Sequence, residues 1–227
     1  VYKKNENLIF YNKYKMSIKL IIGCMFSGKT TELLQECNRW SSIGKLAICI
    51  NYIDDDRYGN DEYVYSHNGA RYKCIKARDL TDISIDIIRS ADVILVNEGQ
   101  FFEDIVQCTV IWCEKYNKNI VVSGLDGDYL RRPFGKLLDL IPYCNEVIKV
   151  HGFCAMCSDG TPAIFTKRIT NENEQIIIGV DNYLPLCRKH YLGESEPRIY
   201  NGVSFDEPYK GTVGVSLDES FDESIYD

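Results

Sequence analysis

The sequence contains no apolar run approaching the ~20 residues that cross a bilayer, so no membrane-spanning helix is expected. It lacks a basic excess: 26 Lys and Arg against 33 Asp and Glu leave a formal net charge of −7. That sign is wrong for a nucleic-acid footprint. Residues 1–15, VYKKNENLIFYNKYK, carry lysines but neither an apolar core nor a small-residue cleavage site, so no secretory signal is expected there. Internal repeats and low-complexity segments are also missing. Ten cysteines are present without the regular spacing of a disulfide framework. Cys24, Cys37, Cys49, Cys74, Cys108, Cys113 and Cys144 sit in apolar or helical contexts and read as reduced core residues of a cytoplasmic protein.

What remains is a chain of 227 residues, 45% hydrophobic, able to bury one core of moderate size plus a small appendage. Met16 stands directly before the first expected strand, so residues 1–15 are expected to be either an extension or an upstream-start artefact. IKLIIG, KLAICINY, DVILV and NIVVSGL read as buried strands. TTELLQECNRWSSIG, DLTDISIDIIRSA and EDIVQCTVIWCEKYNK read as the helices between them. The polar stretch DDDRYGNDEYVYSHNGARYKC is expected to be loop with an edge strand. Strands alternating with helices predict an α/β domain over residues 16–150: a P-loop NTPase-like, largely parallel sheet with helices on both faces. From residue 151 short strands and paired cysteines predict a small metal-knotted lobe to residue 192. Residues 193–227 hold nine Asp and Glu against two basic residues and are expected to be a solvated acidic tail.

GCMFSGKT satisfies G-x-x-x-x-G-K-[ST], after a strand and before a helix. Gly23 and Gly28 let successive N–H groups turn inward as an anion nest at a helix N-terminus. Lys29 would neutralise β- and γ-phosphates, and the Thr30 hydroxyl would ligate Mg²⁺. At the end of VILV, where such a loop finds its partner acid, stand Asn97 and Glu98. Asn97 brings no charge to a metal-bound water. Glu98, at the carboxyl end of a strand, can accept the proton of an attacking hydroxyl.

Cys154-Ala155-Met156-Cys157 and Cys187-Arg188-Lys189-His190 are two ligand pairs, each enclosing two residues. Three thiolates and one imidazole close a zinc tetrahedron and leave no position for water, which predicts a structural ion. His151 lies nearby with less regular spacing. Taken this far, the residues also allow a P-loop ATPase whose zinc ribbon binds nucleic acid or a protein partner.

GCMFSGKTTELL, NEGQFF, LDGDYLRRPFG, CAMC, FTKR, DNY and CRKH occur in an order that resembles type II (cytosolic-type) thymidine kinases. The resemblance runs from about Met16 to Leu192. It implies Mg²⁺-assisted transfer of the ATP γ-phosphoryl group to the 5′-hydroxyl of thymidine, with Glu98 as base and Lys29 on the phosphates. It further implies a homotetramer and feedback inhibition by dTTP, while the charge balance and the short apolar runs predict neither nucleic-acid nor membrane partners. Donor contacts are implied for Gly23, Cys24, Met25, Phe26, Ser27, Gly28, Lys29 and Thr30, for Asn68, Gly69 and Ala70, and for Asn97, Glu98, Gly99 and Gln100. Thymine contacts are implied for Met25, Phe101, Phe102, Leu125, Tyr129, Phe134 and Thr166. A lasso loop gripping the base would comprise Glu174, Gln175, Ile176, Ile177, Ile178 and Tyr183, its ends held by the zinc lobe. Departures from the family pattern are Asn97 for a common Asp, Tyr129 for a frequent Phe, and His190 for a Cys.

Overall fold

The computed structural model describes residues 16–55, 62–66, 69–170 and 182–193. The apolar runs become strands β1 (Ser17–Gly23), β2 (Ala47–Tyr52), β5 (Val93–Val96) and β6 (Asn119–Leu125). Between them lie β3 (Tyr63–Tyr65), β4 (Arg71–Ala77) and the helices α1 (Lys29–Ser42), α2 (Ile85–Ser90) and α3 (Ile105–Glu114). With β7 (Glu146–Lys149) they form a seven-stranded sheet in the order β3-β4-β2-β5-β6-β1-β7. All neighbours are parallel except β3 and β4.

Period-two alternation distributes the strand residues between two cores. Ile21, Cys49, Val93, Leu95 and Val121 pack beneath Leu33, Leu34 and Cys37 of α1. Leu20, Ile22, Ile50, Ile94, Val96, Ile120 and Val122 pack with Ile105, Cys108 and Trp112 of α3 on the other face. Burial on both faces is what makes VILV a continuous apolar run.

Three elements depart from the expected pattern. The polar stretch yields β4, which joins the parallel sheet beside β2, as well as the edge strand β3. Its residues read as loop because β4 is largely uncovered on one face and alternates charged with apolar side chains. DLTDISIDIIRSA breaks into a 3-10 turn (Leu80–Asp82) and the short α2, where the Ser84 hydroxyl accepts from Asp86 N–H as an N-cap. β7 pairs with β1 at the sheet edge, but its mainly exposed side chains produce no apolar run.

Beyond the sheet, β8 (Gly152–Phe153) pairs antiparallel with β9 (Pro162–Ala163), and β10 (Phe165–Arg168) with β11 (Tyr183–Leu186), which leads into α4 (Arg188–Leu192). No helix among the described residues is long and apolar enough to cross a membrane.

Candidate active site

The candidate residues gather at the carboxyl ends of β1, β5 and β6. Gly23 ends β1 with its Cα against the Val150 carbonyl and Ser27 Oγ, an approach that any Cβ would block. Gly28 adopts the left-handed conformation at the head of α1. Within the loop, Ser27 Oγ donates to the Cys24 carbonyl at 2.8 Å and Lys29 Nζ to the same carbonyl at 2.6 Å. The Lys29 ammonium is thus already folded over the loop. Thr30 is half-buried in the first turn of α1. Burial pushes the Cys24 thiol up, which makes it an inert packing group.

The loop is fastened from outside. Cys24 Sγ donates to the Ala163 carbonyl (3.3 Å) and Met25 N–H to Thr166 Oγ1 (2.9 Å), so strands β9 and β10 hold the phosphate loop by two bonds.

Glu98 lies beyond β5 in the left-handed region, φ 54° and ψ 43°, unusual for a residue with a side chain. Such strain collects at functional sites. Gln100 Nε2 donates to Glu98 Oε2 at 2.6 Å, while Gln100 Oε1 accepts from Leu125 N–H at 2.9 Å. The Gln100 amide is therefore fixed by β6 and aims the carboxylate. Gly124 leaves room for this amide, because a Cβ there would run into Gln100 Oε1. One strand, β6, separates β5 from β1, so Glu98 stands roughly 10 Å from the end of β1, a gap suited to a phosphoryl group and its acceptor.

Asn97 is buried and its amide is engaged on both sides. Oδ1 accepts from Ser123 Oγ at 3.0 Å, and Nδ2 donates to Asn51 Oδ1 at 2.9 Å. Asn51 Nδ2 in turn donates to Asp55 Oδ2 at 3.0 Å. The uncharged residue thereby joins the ends of β2, β5 and β6 into one polar row.

Of the expected acceptor-side residues, Phe134 meets Phe101 edge-on at 5.5 Å, and Phe101 lies 5.0 Å from Tyr52. Met25, Leu125 and Tyr129 are half-buried, while Thr166 and Tyr183 are buried on neighbouring strands. Phe102, by contrast, is 0% exposed within the core formed with α3, so it supports Tyr52 and the sheet and presents no surface to a ligand. Gly69 and Ala70 close the β3–β4 turn at the amino end of β4, away from the carboxyl ends of the parallel strands. β4 is also four strand spacings, about 19 Å, from β1. Within one chain the structure does not bring Gly69 and Ala70 to the phosphate loop. Asn68 and the segment Glu174–Ile178 lie outside the described residues.

The two ligand pairs converge. Cys154, Cys157 and Cys187 Sγ lie 3.3, 3.2 and 3.3 Å from His190 Nδ1, and Cys157 and Cys187 Sγ are 3.8 Å apart. Zinc–sulfur bonds of ~2.3 Å place tetrahedral sulfurs ~3.8 Å from one another, so the cluster has the dimensions of a zinc site. Although burial opposes it, the Cys154 thiol is lowered by N–H groups of Cys187, Cys157 and Met156, whereas desolvation and its thiol neighbours push Cys157 up to about 11. A divalent cation relieves that crowding by taking all three sulfurs as thiolates. His151 is exposed and outside the cluster. All ten cysteines are free of disulfides.

A model of the thymidine kinase family matches residues 16–191. The chain belongs to the thymidine kinase family. Thymidine kinase of Variola virus (isolate Human/India/Ind3/1967) is 38% identical over 179 residues, covering 77% of this chain and 96% of that protein. Thymidine kinase of Vaccinia virus (strain Ankara) is 38% identical over 180 residues, 78% and 97% of the two chains. Thymidine kinase a of Arabidopsis thaliana is 37% identical over 181 residues, 78% and 75%. Among solved structures, a DNA replication initiation factor superposes with a TM-score of 0.39 at 14% identity over 66% of this chain. This chain spans about half of that one (47%), and the likeness carries no argument.

Against the thymidine kinase pattern, two residues that shape the site were not among those expected. Asp128 is buried and accepts from Leu130 N–H (2.9 Å), Arg132 N–H (2.9 Å), Arg132 Nε (2.8 Å) and Arg132 Nη2 (2.7 Å), which fixes the turn bearing Tyr129. The Asp-x-x-x-Arg spacing was the available signal. Arg168 is the other: in FTKR it reads as one more surface cation, yet it is 4% exposed.

Proposed function

We propose that this kinase transfers the γ-phosphoryl group of ATP to the 5′-hydroxyl of thymidine. Family membership supports the class of reaction. The observation that carries the mechanism is a strained, buried Glu98 aimed by Gln100 and separated from the Lys29 loop by one strand. Backbone N–H groups of the loop and Lys29 hold the triphosphate, Lys29 leaving the Cys24 carbonyl for the β- and γ-oxygens. Mg²⁺ when bound would spread the developing charge, and the Thr30 hydroxyl would hold it. The 5′-oxygen forms its bond to the γ-phosphorus as the bond to the β–γ bridging oxygen breaks and ADP leaves. Glu98 takes the hydroxyl proton. Met25, Leu125, Phe101, Tyr129, Phe134, Thr166 and Tyr183 surround the acceptor, with Glu174–Ile178 closing over it. The thiolates of Cys154, Cys157 and Cys187 with His190 would hold a structural Zn²⁺. The working assembly is a cytoplasmic homotetramer restrained by dTTP.

A panel of nucleosides incubated with ATP and Mg²⁺ tests this. Thymidine is expected to give dTMP at the highest kcat/KM. If no nucleoside is phosphorylated while DNA stimulates ATP hydrolysis, the reading fails in favour of a nucleic-acid-dependent ATPase.

A further inference from the structure

Resting on that reading, we propose that Arg168 is a positioning residue for the nucleoside site: it locks Tyr129 and Tyr183 into one wall across the junction between the sheet and the β10–β11 hairpin. Thr166 and Arg168 are two residues apart on β10 and share one face, both buried. The first of them accepts the Met25 N–H of the phosphate loop. The face turned toward the loop therefore continues, roughly 7 Å further along the strand, to the Arg168 side chain.

What Arg168 touches there is aromatic. Its guanidinium carbon lies 3.8 Å from the centre of the Tyr129 ring and 5.2 Å from that of Tyr183. Nη2 donates to the Tyr183 hydroxyl at 2.7 Å. Arg168 and Tyr183 are direct partners in the antiparallel register, so one contact is set by the hairpin. The other crosses to the turn that Asp128 fixes after β6. At 3.8 Å a planar guanidinium stacks on a ring as an ammonium cannot, and a desolvated cation–π contact is stronger than an exposed one. Tyr191 adds a second tie, its hydroxyl donating to the Tyr129 carbonyl at 2.8 Å. Tyr129 is thus held at its backbone by Tyr191 and at its ring by Arg168.

The arrangement assigns Arg168 an effect on acceptor binding that is separable from donor binding. Arg168→Met keeps an unbranched apolar stem and removes charge and planarity. Its thymidine KM is expected to rise roughly tenfold, with ATP KM, zinc content and kcat at saturating thymidine within about twofold. Arg168→Lys restores the charge without the stack and recovers less than half of that loss. Should Arg168→Met fail to fold, Arg168→Lys decides, since it keeps the charge and loses the planar stack; thymidine KM then rises several-fold at unchanged ATP KM. Unaltered thymidine KM in the variant that folds, or equal losses toward both substrates, overturns the assignment while leaving the kinase reading intact. Absence of thymidine turnover in the unmodified chain overturns both.

Discussion

The backbone N–H of Met25 donates to Thr166 Oγ1 across 2.9 Å, joining the phosphate loop to the strand that leads into the acceptor wall. The phosphate loop and the proposed acceptor side therefore share a hydrogen bond within the chain itself. Thr166→Val preserves the side-chain volume and leaves a half-buried N–H without its acceptor, a loss of about 1–3 kcal/mol. Steady-state kinetics should show ATP KM and thymidine KM rising together, roughly tenfold, and Thr166→Ser should retain most of the wild-type values. A change confined to thymidine would mean that Thr166 serves the acceptor alone.

Glu98→Gln tests the base. The amide oxygen introduced by this substitution can still accept from Gln100 Nε2, so the local geometry survives while proton acceptance is lost. Turnover should fall by roughly 10²–10⁴, the range for a general base. ATP affinity, measured by equilibrium titration, should stay within a small factor of wild type. Near-normal turnover would remove Glu98 from that role.

The cluster of Cys154, Cys157, Cys187 and His190 is tied to more than its own lobe. Cys187 closes the cluster at the end of β11, and the adjoining β9 and β10 hold Cys24 and Met25 of the phosphate loop. Metal analysis should find about one zinc per chain. Cys187→Ser should lose most of that zinc and lower the unfolding temperature, and affinity should weaken for ATP as well as for thymidine. A metal-free protein with full activity and unchanged melting would exclude a structural ion.

The parallel sheet was legible because Ile94, Val96, Ile120 and Val122 are buried by helices and so form unbroken apolar runs. The Cys/His cluster was legible because each pair is local in sequence and chemically restricted. β4 and β7 were not, since a strand with one uncovered face carries the composition of a loop. Phe102 marks a different limit: NEGQFF identifies the segment, but the turn after Glu98 decides which of two adjacent phenylalanines enters the core, and it is Phe102. Arg168 was invisible for the converse reason. Burial of a cation depends on Tyr129 and Tyr183, which come from different parts of the chain, and no local pattern announces that meeting.

Asn97 is the departure from the family pattern whose replacement is most informative. In sequence it is simply an amide where the family pattern commonly has an acid, and introducing Asp would be expected to strengthen the Mg²⁺ dependence or leave it alone. The structure adds an energetic cost. Asn97 Nδ2 donates to Asn51 Oδ1, and a carboxylate at this position would set two acceptors against each other at 2.9 Å in a buried row. Relief requires the Asn51 amide to turn over, which breaks its present bond to Asp55. Asn97→Asp should therefore destabilise the nucleotide-free protein by about 1–3 kcal/mol, seen in denaturant titrations. Added Mg²⁺ and ATP should recover part of that loss, because a bound cation compensates the new charge. Pairing it with Asn51→Ser, whose hydroxyl can donate to the carboxylate, should reduce the penalty in the nucleotide-free state. Full stability of the single variant without nucleotide would show that the row tolerates a charge, and that Asn97 is not needed to hold the strand ends together.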